Sequence, residues 1–289
     1  MAKAREIKGR MRSVDNTRKI TRTMEMVATS KLRRAQERVI EARPFSARLN
    51  DVIARLATPE LAELQPLLRQ PDEVRRAAVV LMTSNRGLCG AFNVNLIRRA
   101  QNLVAEIESS GAEVEVHVYG NKGIGYFRFR GVSMATMRTD ITDRPSPEDA
   151  RSIIEEIAER FILGELDAAY LVFAEFQSMV RTPPVVRQVL PVQVPENAAE
   201  GPQPYYILDP SAEAILDGLL PLYVNNSAFN ALLESAAAEQ AARRTAMKNA
   251  TDNAEDFLKD LRRTYNRARQ AEITQQIAEI LGGAEALAG

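Results

Sequence analysis

A glycine-containing segment at positions 83–90, TSNRGLCG, follows an apolar stretch and precedes a helical pattern. Glycine-rich loops at such junctions bind phosphates, because the backbone can approach closely and helix N–H groups point at the anion. The segment lacks both the G-x-x-x-x-G-K-[ST] and the G-x-G-x-x-G patterns, so a tight strand-to-helix turn is favoured over a phosphate site. A second segment, GNKGIG at 120–125, has the same context and receives the same interpretation.

The chain contains one cysteine, Cys89, and one histidine, His117. This inventory excludes an internal disulfide, a His/Cys zinc cluster and an H-E-x-x-H site. Cys89 has no histidine nearby in sequence to activate it, so a small packing residue is favoured over a nucleophile. His117 alternates with valines in a predicted strand and is expected to be half exposed, not a ligand. Since no carboxylate pair is placed by spacing either, we predict no catalytic, cofactor-binding or metal-binding residues.

The composition is that of an ordinary globular protein, with 289 residues, 45% of them hydrophobic and 26% charged. No apolar run approaches the roughly 18 residues that a membrane-spanning helix needs. Charged residues from Lys3 onward leave no room for the apolar part of a secretory signal. These features predict an intracellular protein that is soluble by itself.

Positive charge is concentrated at the N-terminus, although the net charge is zero. Residues 1–43 contain thirteen Lys and Arg against five Asp and Glu. Such a segment indicates either a polyanionic or acidic partner or a solvated helix face. No aromatic residue precedes Phe45, which argues against stacking on bases and against anchoring in a membrane surface. An acidic protein partner is therefore favoured.

Heptad patterns of apolar residues occupy both ends of the chain. The predicted organisation is an N-terminal coiled-coil helix at 1–58, an α/β domain at 72–207 and a C-terminal coiled-coil helix at 210–285. Pro44 and Pro221 are expected to kink these helices. Between them, the pattern predicts strands at 76–85, 113–119, 168–176 and 185–194 and helices at 93–108 and 148–163. Strands alternating with helices are typical of an α/β domain with parallel pairing.

The terminal helices are too long for a globule of this size. A compact chain of this length has a radius of gyration of about 19 Å, whereas roughly sixty helical residues extend about 90 Å. We therefore predict that the two helices form an antiparallel coiled coil that projects from the α/β domain. Its predicted seam includes the polar residues Arg18, Thr21, Glu25, Gln240 and Arg243. Because such a seam gives modest stability, we favour a pair covered by a larger partner over a free-standing stalk.

Four segments resemble the gamma subunits of F-type ATP synthases. They are KITRTMEMVATSKLRRAQ at 19–36, TSNRGLCG at 83–90, SAAAEQAARRTAMKNATDN at 235–253 and YNRARQAEITQQIAEILGGA at 265–284. The resemblance covers essentially the whole chain in order, and the terminal motifs are long enough to be specific. It implies a Rossmann-like α/β domain with a long antiparallel coiled coil formed by the N- and C-terminal helices.

The resemblance also implies a function. A gamma subunit is the non-catalytic central rotor shaft of a proton-translocating ATP synthase, and it couples rotation of the c ring to conformational changes at the beta-subunit catalytic sites. Its partners would be the alpha, beta and epsilon subunits and the c ring, with no cofactor and no nucleic acid. The chain would then be peripheral to the cell inner (plasma) membrane through the c ring, on the cytoplasmic side.

Particular residues match family positions that contact partners. Met24 and Arg243 resemble residues near the beta subunit, and Arg269, Gln270 and Thr274 resemble those of a polar catch with a beta-subunit loop. The segment that includes Tyr205, Tyr206 and Asp209 resembles the foot that meets the c ring and epsilon. Gln276 stands where the family usually has Glu, and the cysteine-bearing insertion of chloroplast homologues is absent, so no thiol switch is predicted.

Two alternatives come from the residues alone. The first is a nucleotide- or small-ligand-binding α/β protein with a coiled-coil arm, which predicts a higher melting temperature with ATP or ADP. The second is a nucleic-acid-binding coiled-coil protein, which predicts retention of DNA or RNA at low salt.

Overall fold

The computed structural model describes residues 2–57, 61, 64–193 and 211–288, and the chain divides into two compact units. One unit comprises Met1–Ala28 with Arg244–Gly289, and the other comprises Thr29–Arg243. Two long helices, α1 (Ala2–Leu56) and α5 (Ala212–Ala288), contribute to both units. The predicted division at 1–58, 72–207 and 210–285 stays a prediction.

In the first unit, α1 and α5 pack as antiparallel helices. Arg18 Nη1 lies 3.1 Å from Glu255 Oε1, and the hydroxyl oxygens of Thr21 and Thr251 are 2.8 Å apart. Residue numbers thus rise along α1 as they fall along α5. Around these polar pairs the seam is apolar, with buried Ile7, Ala28, Met247, Leu258 and Leu261. The predicted antiparallel coiled coil is confirmed.

In the second unit, the same two helices keep the antiparallel direction. Ser46 Oγ accepts hydrogen bonds from Asn226 Nδ2 at 3.0 Å and from Asn230 Nδ2 at 2.7 Å. One turn further along α5, Leu233 packs in a buried cluster with Val39 of α1. Helix α1 continues through Pro44 and α5 through Pro221.

The second unit also contains a five-stranded sheet. Its strands are β1 (Arg76–Met82), β2 (Glu113–Tyr119), β3 (Thr136–Arg138), β4 (Ala168–Ala174) and β5 (Pro184–Leu190). The strand order is β3-β2-β1-β4-β5, with parallel pairing except between β4 and β5. The central strand β1 is buried from Ala77 to Met82, as expected for a parallel strand covered on both faces. The predicted Rossmann-like α/β fold is confirmed.

Helices cover both faces of this sheet. They are α2 (Phe92–Ser109), α3 (Asn121–Phe129) and α4 (Pro147–Ile162), together with α1 and α5. One core joins the sheet to α1, α4 and α5 through residues such as Ile53, Phe161 and Leu216. The other joins it to α2 and α3 through Leu96 and Phe127. Helix α4 begins with a capping box, in which Ser146 and Asp149 each accept the other's backbone N–H.

Apart from a 3₁₀ turn at Pro66–Leu68, the sequence patterns missed two short elements. The sequence predicts only a tight turn at 120–125, yet Asn121 begins the nine-residue helix α3. Its two internal glycines lower helix propensity, which hid the helical pattern. Strand β3 has three residues, too few for an alternating pattern to be recognised. The predicted strands 76–85 and 168–176 also end earlier than expected, at Met82 and Ala174.

We expect Gly120→Ala to lower the free energy of unfolding by several kcal/mol. Gly120 precedes α3 with φ +102°, and a Cβ there would collide with the carbonyl oxygen of Thr83. Both the backbone conformation and the clash oppose a side chain, so strain of about 1–3 kcal/mol adds to the cost of moving the backbone at Thr83. Chemical denaturation of the purified chain measures the change.

Gly125→Ala is the matched control. Gly125 lies within α3, and an added Cβ would have no neighbour within 4 Å. Alanine should therefore stabilise the helix by about 0.5–1 kcal/mol. Equal destabilisation by both substitutions would contradict this account of the turn.

Candidate partner-binding surfaces

Helix α1 presents a basic surface in the first unit. Arg5, Lys8, Arg10, Arg12, Lys19 and Arg22 are all exposed. Apolar side chains lie among them, with Ile20 60%, Met26 59% and Val27 51% exposed, while Met24 is half buried. Exposed apolar groups within a strongly positive surface are typical of a binding surface for a partner that carries both acidic and apolar groups.

The C-terminal part of α5 exposes an apolar stripe. The contacts of Arg18 with Glu255 and of Thr21 with Thr251 define which residues of the two helices lie opposite each other. Because α1 begins at Ala2, the residues of α5 from about Ile273 onward have no α1 residue opposite. The stripe consists of Ile273, Ile277, Ile280 and Leu281, which are 42%, 53%, 70% and 62% exposed. Such a stripe on a helix in water is typical of a surface that a partner covers.

The predicted catch residues lie beside this stripe. Arg269, Gln270 and Thr274 are all exposed on α5. Thr274 Oγ1 donates a hydrogen bond to the backbone oxygen of Gln270 at 3.0 Å, within the helix. Their charged and amide groups are therefore available to a partner, and their contact with a beta subunit stays a prediction.

Arg243, also predicted to lie near the beta subunit, is directed into its own chain. Its side chain is only 11% exposed, and Nη1 lies 2.6 Å from Oε1 of Glu239, one turn earlier on α5. Nη2 donates to the carbonyl oxygens of Arg86 and Gly87, at 3.4 Å and 3.3 Å. Arg243 thus connects α5 with the loop between β1 and α2, and contact with a beta subunit stays a prediction for this residue as well.

Side chains at the end of β1 and the start of α2 hold that loop in place. Ser84 N donates to Asn93 Oδ1 at 3.0 Å, and Asn93 Nδ2 donates to Ser84 Oγ at 2.8 Å. Cys89 is buried beneath them, and this burial raises the pKa of its thiol. Cys89 is a packing residue, as the sequence indicated, but the bridging role of Asn93 had no sequence signal because it depends on the fold.

The expectation of a half-exposed His117 is wrong. The residue is 5% exposed, and its Nδ1 lies 2.9 Å from Thr136 Oγ1. Helix α4 covers this face of β2, where Arg160 makes two 2.7 Å hydrogen bonds to the carboxylate of Glu115. Burial lowers the pKa of His117, which favours the neutral ring. Among the described residues, no group of three or more His, Cys, Asp or Glu could hold a metal ion.

Comparison with known proteins connects these surfaces to a family. Residues 3–287 match the family model described as ATP synthase. The chain is 56% identical to the ATP synthase gamma chain of Gemmatimonas aurantiaca over 290 residues, covering 100% of both chains. It is 42% identical to that of Leptospira biflexa serovar Patoc over 288 residues, covering 99% of this chain and 100% of the relative.

The chain belongs to the ATP synthase gamma family. The prediction of a non-catalytic rotor subunit is thereby confirmed. The fold agrees with that of a chain in a cryo-EM structure of the Euglena gracilis mitochondrial ATP synthase, OSCP/F1/c-ring, in rotational state 3. That match has a TM-score of 0.67 at 18% identity and covers 99% of this chain and 95% of the other.

The predicted foot residues Tyr205, Tyr206 and Asp209 lie outside the described residues. Their contact with the c ring and epsilon stays a prediction. None of the helices in the described part of the chain is long and apolar enough to cross a membrane. The chain is a component of a membrane-associated complex through its family.

An ion pair ties α1 to the loop that follows β3, and it predicts a pH dependence. Lys31 Nζ lies 2.5 Å from Asp143 Oδ2, and this hydrogen bond holds the pKa of Asp143 below its ordinary value. A depressed pKa in the folded state stabilises the protein above the unfolded-state pKa, and this stabilisation is lost as the pH falls through the folded-state pKa. Asp143→Asn should therefore make the free energy of unfolding less dependent on pH below about pH 4. The test is to measure denaturant unfolding of both proteins over a series of acid pH values. A pH profile that is the same in Asp143→Asn and in the unaltered chain would contradict the prediction.

Proposed function

We propose that the described helix pair turns inside a ring of alternating alpha and beta subunits, on the cytoplasmic side of the plasma membrane. Arg269, Gln270 and Thr274 contact a beta-subunit loop, and Met24 and Arg243 lie at the beta-facing part of the shaft. The segment that includes Tyr205, Tyr206 and Asp209 contacts the c ring and epsilon, so the chain is peripheral to the membrane through the c ring.

One observation carries this proposal, the unpaired end of α5. Its apolar stripe, Ile273 to Leu281, has no α1 residue opposite and is 42–70% exposed at four positions. The exposed polar residues Arg269, Gln270 and Thr274 lie directly before it or among it. A sleeve of subunits would cover the stripe and engage these polar groups, which explains both features at once.

The helix pair acts by differential contact, without performing chemistry. Its two helices differ in sequence, so the surface presented to the surrounding subunits changes around the pair. Three beta subunits of identical sequence then contact different surfaces, and each is biased towards a different conformation. A ligand or partner can shift a conformational equilibrium only by such a difference in interaction free energy.

Polar pairs in the seam keep the helices in register while they turn. Thr21 and Thr251 are 8% and 5% exposed, and their hydroxyls pair among the apolar residues of the seam. Beside them, Arg18 pairs with both Asp15 of α1 and Glu255 of α5. Buried polar residues at single seam positions specify the register of a coiled coil.

Purification of the complex through a tag on this chain tests the proposal. We expect alpha, beta and epsilon subunits and the c ring to copurify, and ATP to drive rotation of a bead attached to this chain. In inverted membrane vesicles, but not in intact cells, an added protease should reach the α/β domain. Copurification without rotation would refute the rotary role. Cleavage of the α/β domain in intact cells would refute its position on the cytoplasmic side of the membrane.

A further inference from the structure

Arg243 occupies a position that partner contact alone does not explain. Its guanidinium joins the carboxylate of Glu239 to two consecutive carbonyl groups, those of Arg86 and Gly87, and its side chain is 11% exposed. Arginine suits this place because its planar group presents several donors in fixed directions. A lysine ammonium could neutralise Glu239 but would reach fewer of these acceptors.

The loop that Arg243 holds, residues 84–90, has an unfavourable backbone conformation. Leu88 has φ +65°, which is rare for a side chain of this kind, and its side chain is 61% exposed. Such conformations cost about 1–3 kcal/mol and persist only where surrounding contacts impose them. Arg243 on one side and the pair of Ser84 and Asn93 on the other supply these contacts.

The neighbouring loop, residues 139–146, is tied to the other long helix. Lys31 of α1 pairs with Asp143, and Arg38 of α1 donates to the carbonyl oxygen of Pro145 at 2.7 Å. Asn85 joins the two loops, since its Nδ2 donates to the carbonyl oxygens of Thr139 and Ile141. In this unit, α1 and α5 are thus each fastened by polar side chains to a loop beside the sheet.

We propose that Arg243 is a positioning residue that latches loop 84–90 to α5, so that the helices and the α/β fold of this unit turn together. The latch itself follows from the contacts within the chain. Its contribution to coupling rests on the proposed rotary function. Arg243 therefore acts through the loop whether or not a beta subunit also approaches it.

Cys89 provides a probe of the latch, because it is the only cysteine of the chain and is 2% exposed within this loop. In the assembled complex, we expect Arg243→Gln to accelerate alkylation of Cys89 by a maleimide at least tenfold, measured by peptide mass spectrometry. Arg243→Lys should give an intermediate rate. Arg262→Gln, at an exposed position of α5, should leave the rate unchanged. An unchanged Cys89 rate in Arg243→Gln would overturn the latch.

A second variant separates the latch from general destabilisation. Removing Arg243 alone leaves the half-buried Glu239 carboxylate without its ion-pair partner, so Arg243→Gln should also lower the melting temperature. The double variant Arg243→Gln/Glu239→Gln removes both charges and should recover much of that loss. Its Cys89 should still react fast, because the loop remains unlatched. If the double variant instead recovered both its stability and the slow alkylation of Cys89, the faster alkylation in Arg243→Gln would be a result of general destabilisation and not of the lost latch.

Coupling is measured as the ratio of ATP synthesis to ATP hydrolysis in reconstituted vesicles. We expect this ratio to fall in the double variant and in Asn93→Ala, which loosens the same loop without touching Arg243. A rapidly alkylated Cys89 with an unchanged ratio would overturn the role of the latch in coupling. Failure of the rotary proposal would be recognised separately, because the unaltered complex would then show no rotation of this chain.

Discussion

Replacing Arg269 and Gln270 together by alanine is expected to lower coupled ATP turnover about tenfold. Both side chains are exposed on α5. Alanine is the best helix former, so the helix itself should be unaffected. A hydrogen bond to a charged partner contributes about 1.5–3 kcal/mol, and 1.4 kcal/mol of transition-state stabilisation corresponds to a factor of ten.

The assay is ATP-driven proton pumping and rotation by the reconstituted complex, with the melting temperature recorded for each variant. Arg98→Ala/Asn102→Ala is a matched control, because it removes the same two kinds of group from exposed positions of α2. The control should turn over normally. Normal turnover of the Arg269/Gln270 variant would show that these residues make no important contact.

Ala250→Pro is expected to abolish assembly of the complex or to reduce its yield severely. Position 250 lies in mid-span of α5, next to Thr251, which contacts Thr21 of α1. Proline removes a backbone hydrogen bond and clashes with the preceding turn, at a cost of about 3 kcal/mol or more. The kink would also separate the seam residues on either side of it, so the loss extends beyond one turn.

Ala284→Pro serves as the matched control, because it places the same ring in an exposed turn near the end of α5. Truncation after Leu281 removes that turn altogether. Both should be tolerated far better than Ala250→Pro, as judged by the yield of purified complex and its melting temperature. Equal losses from all three would mean that the continuous helix is not what assembly requires.

The long helices were predictable because their information is local and repeated. A heptad pattern over fifty or more residues leaves few alternatives, and α1 is indeed one helix from Ala2 to Leu56. The end of α5 was less predictable, since Gly282 and Gly283 lower helix propensity, yet the helix continues to Ala288. Apolar runs predicted the strands β1 and β4. They did not predict where these strands end, because the ends depend on the loops that follow.

The candidate surfaces were predictable only in part. The resemblance identified Arg269, Gln270 and Thr274, and the register of the helix pair places them at, or just before, the part of α5 that has no α1 residue opposite. The resemblance gave no indication that Arg243 contacts a loop more than 150 residues earlier in the chain. Periodicity placed His117 on a strand face correctly but could not tell that α4 covers that face.

By itself, the sequence determined the two heptad helices, the α/β character between them and the membership in a rotor family, because these depend on patterns along the chain. The tertiary structure alone decided which polar residues of the seam meet and which arginine turns inward. It also decided which loop is held to which helix. These contacts join residues distant in sequence, and their geometry depends on how the helices and the sheet pack, which no local pattern encodes.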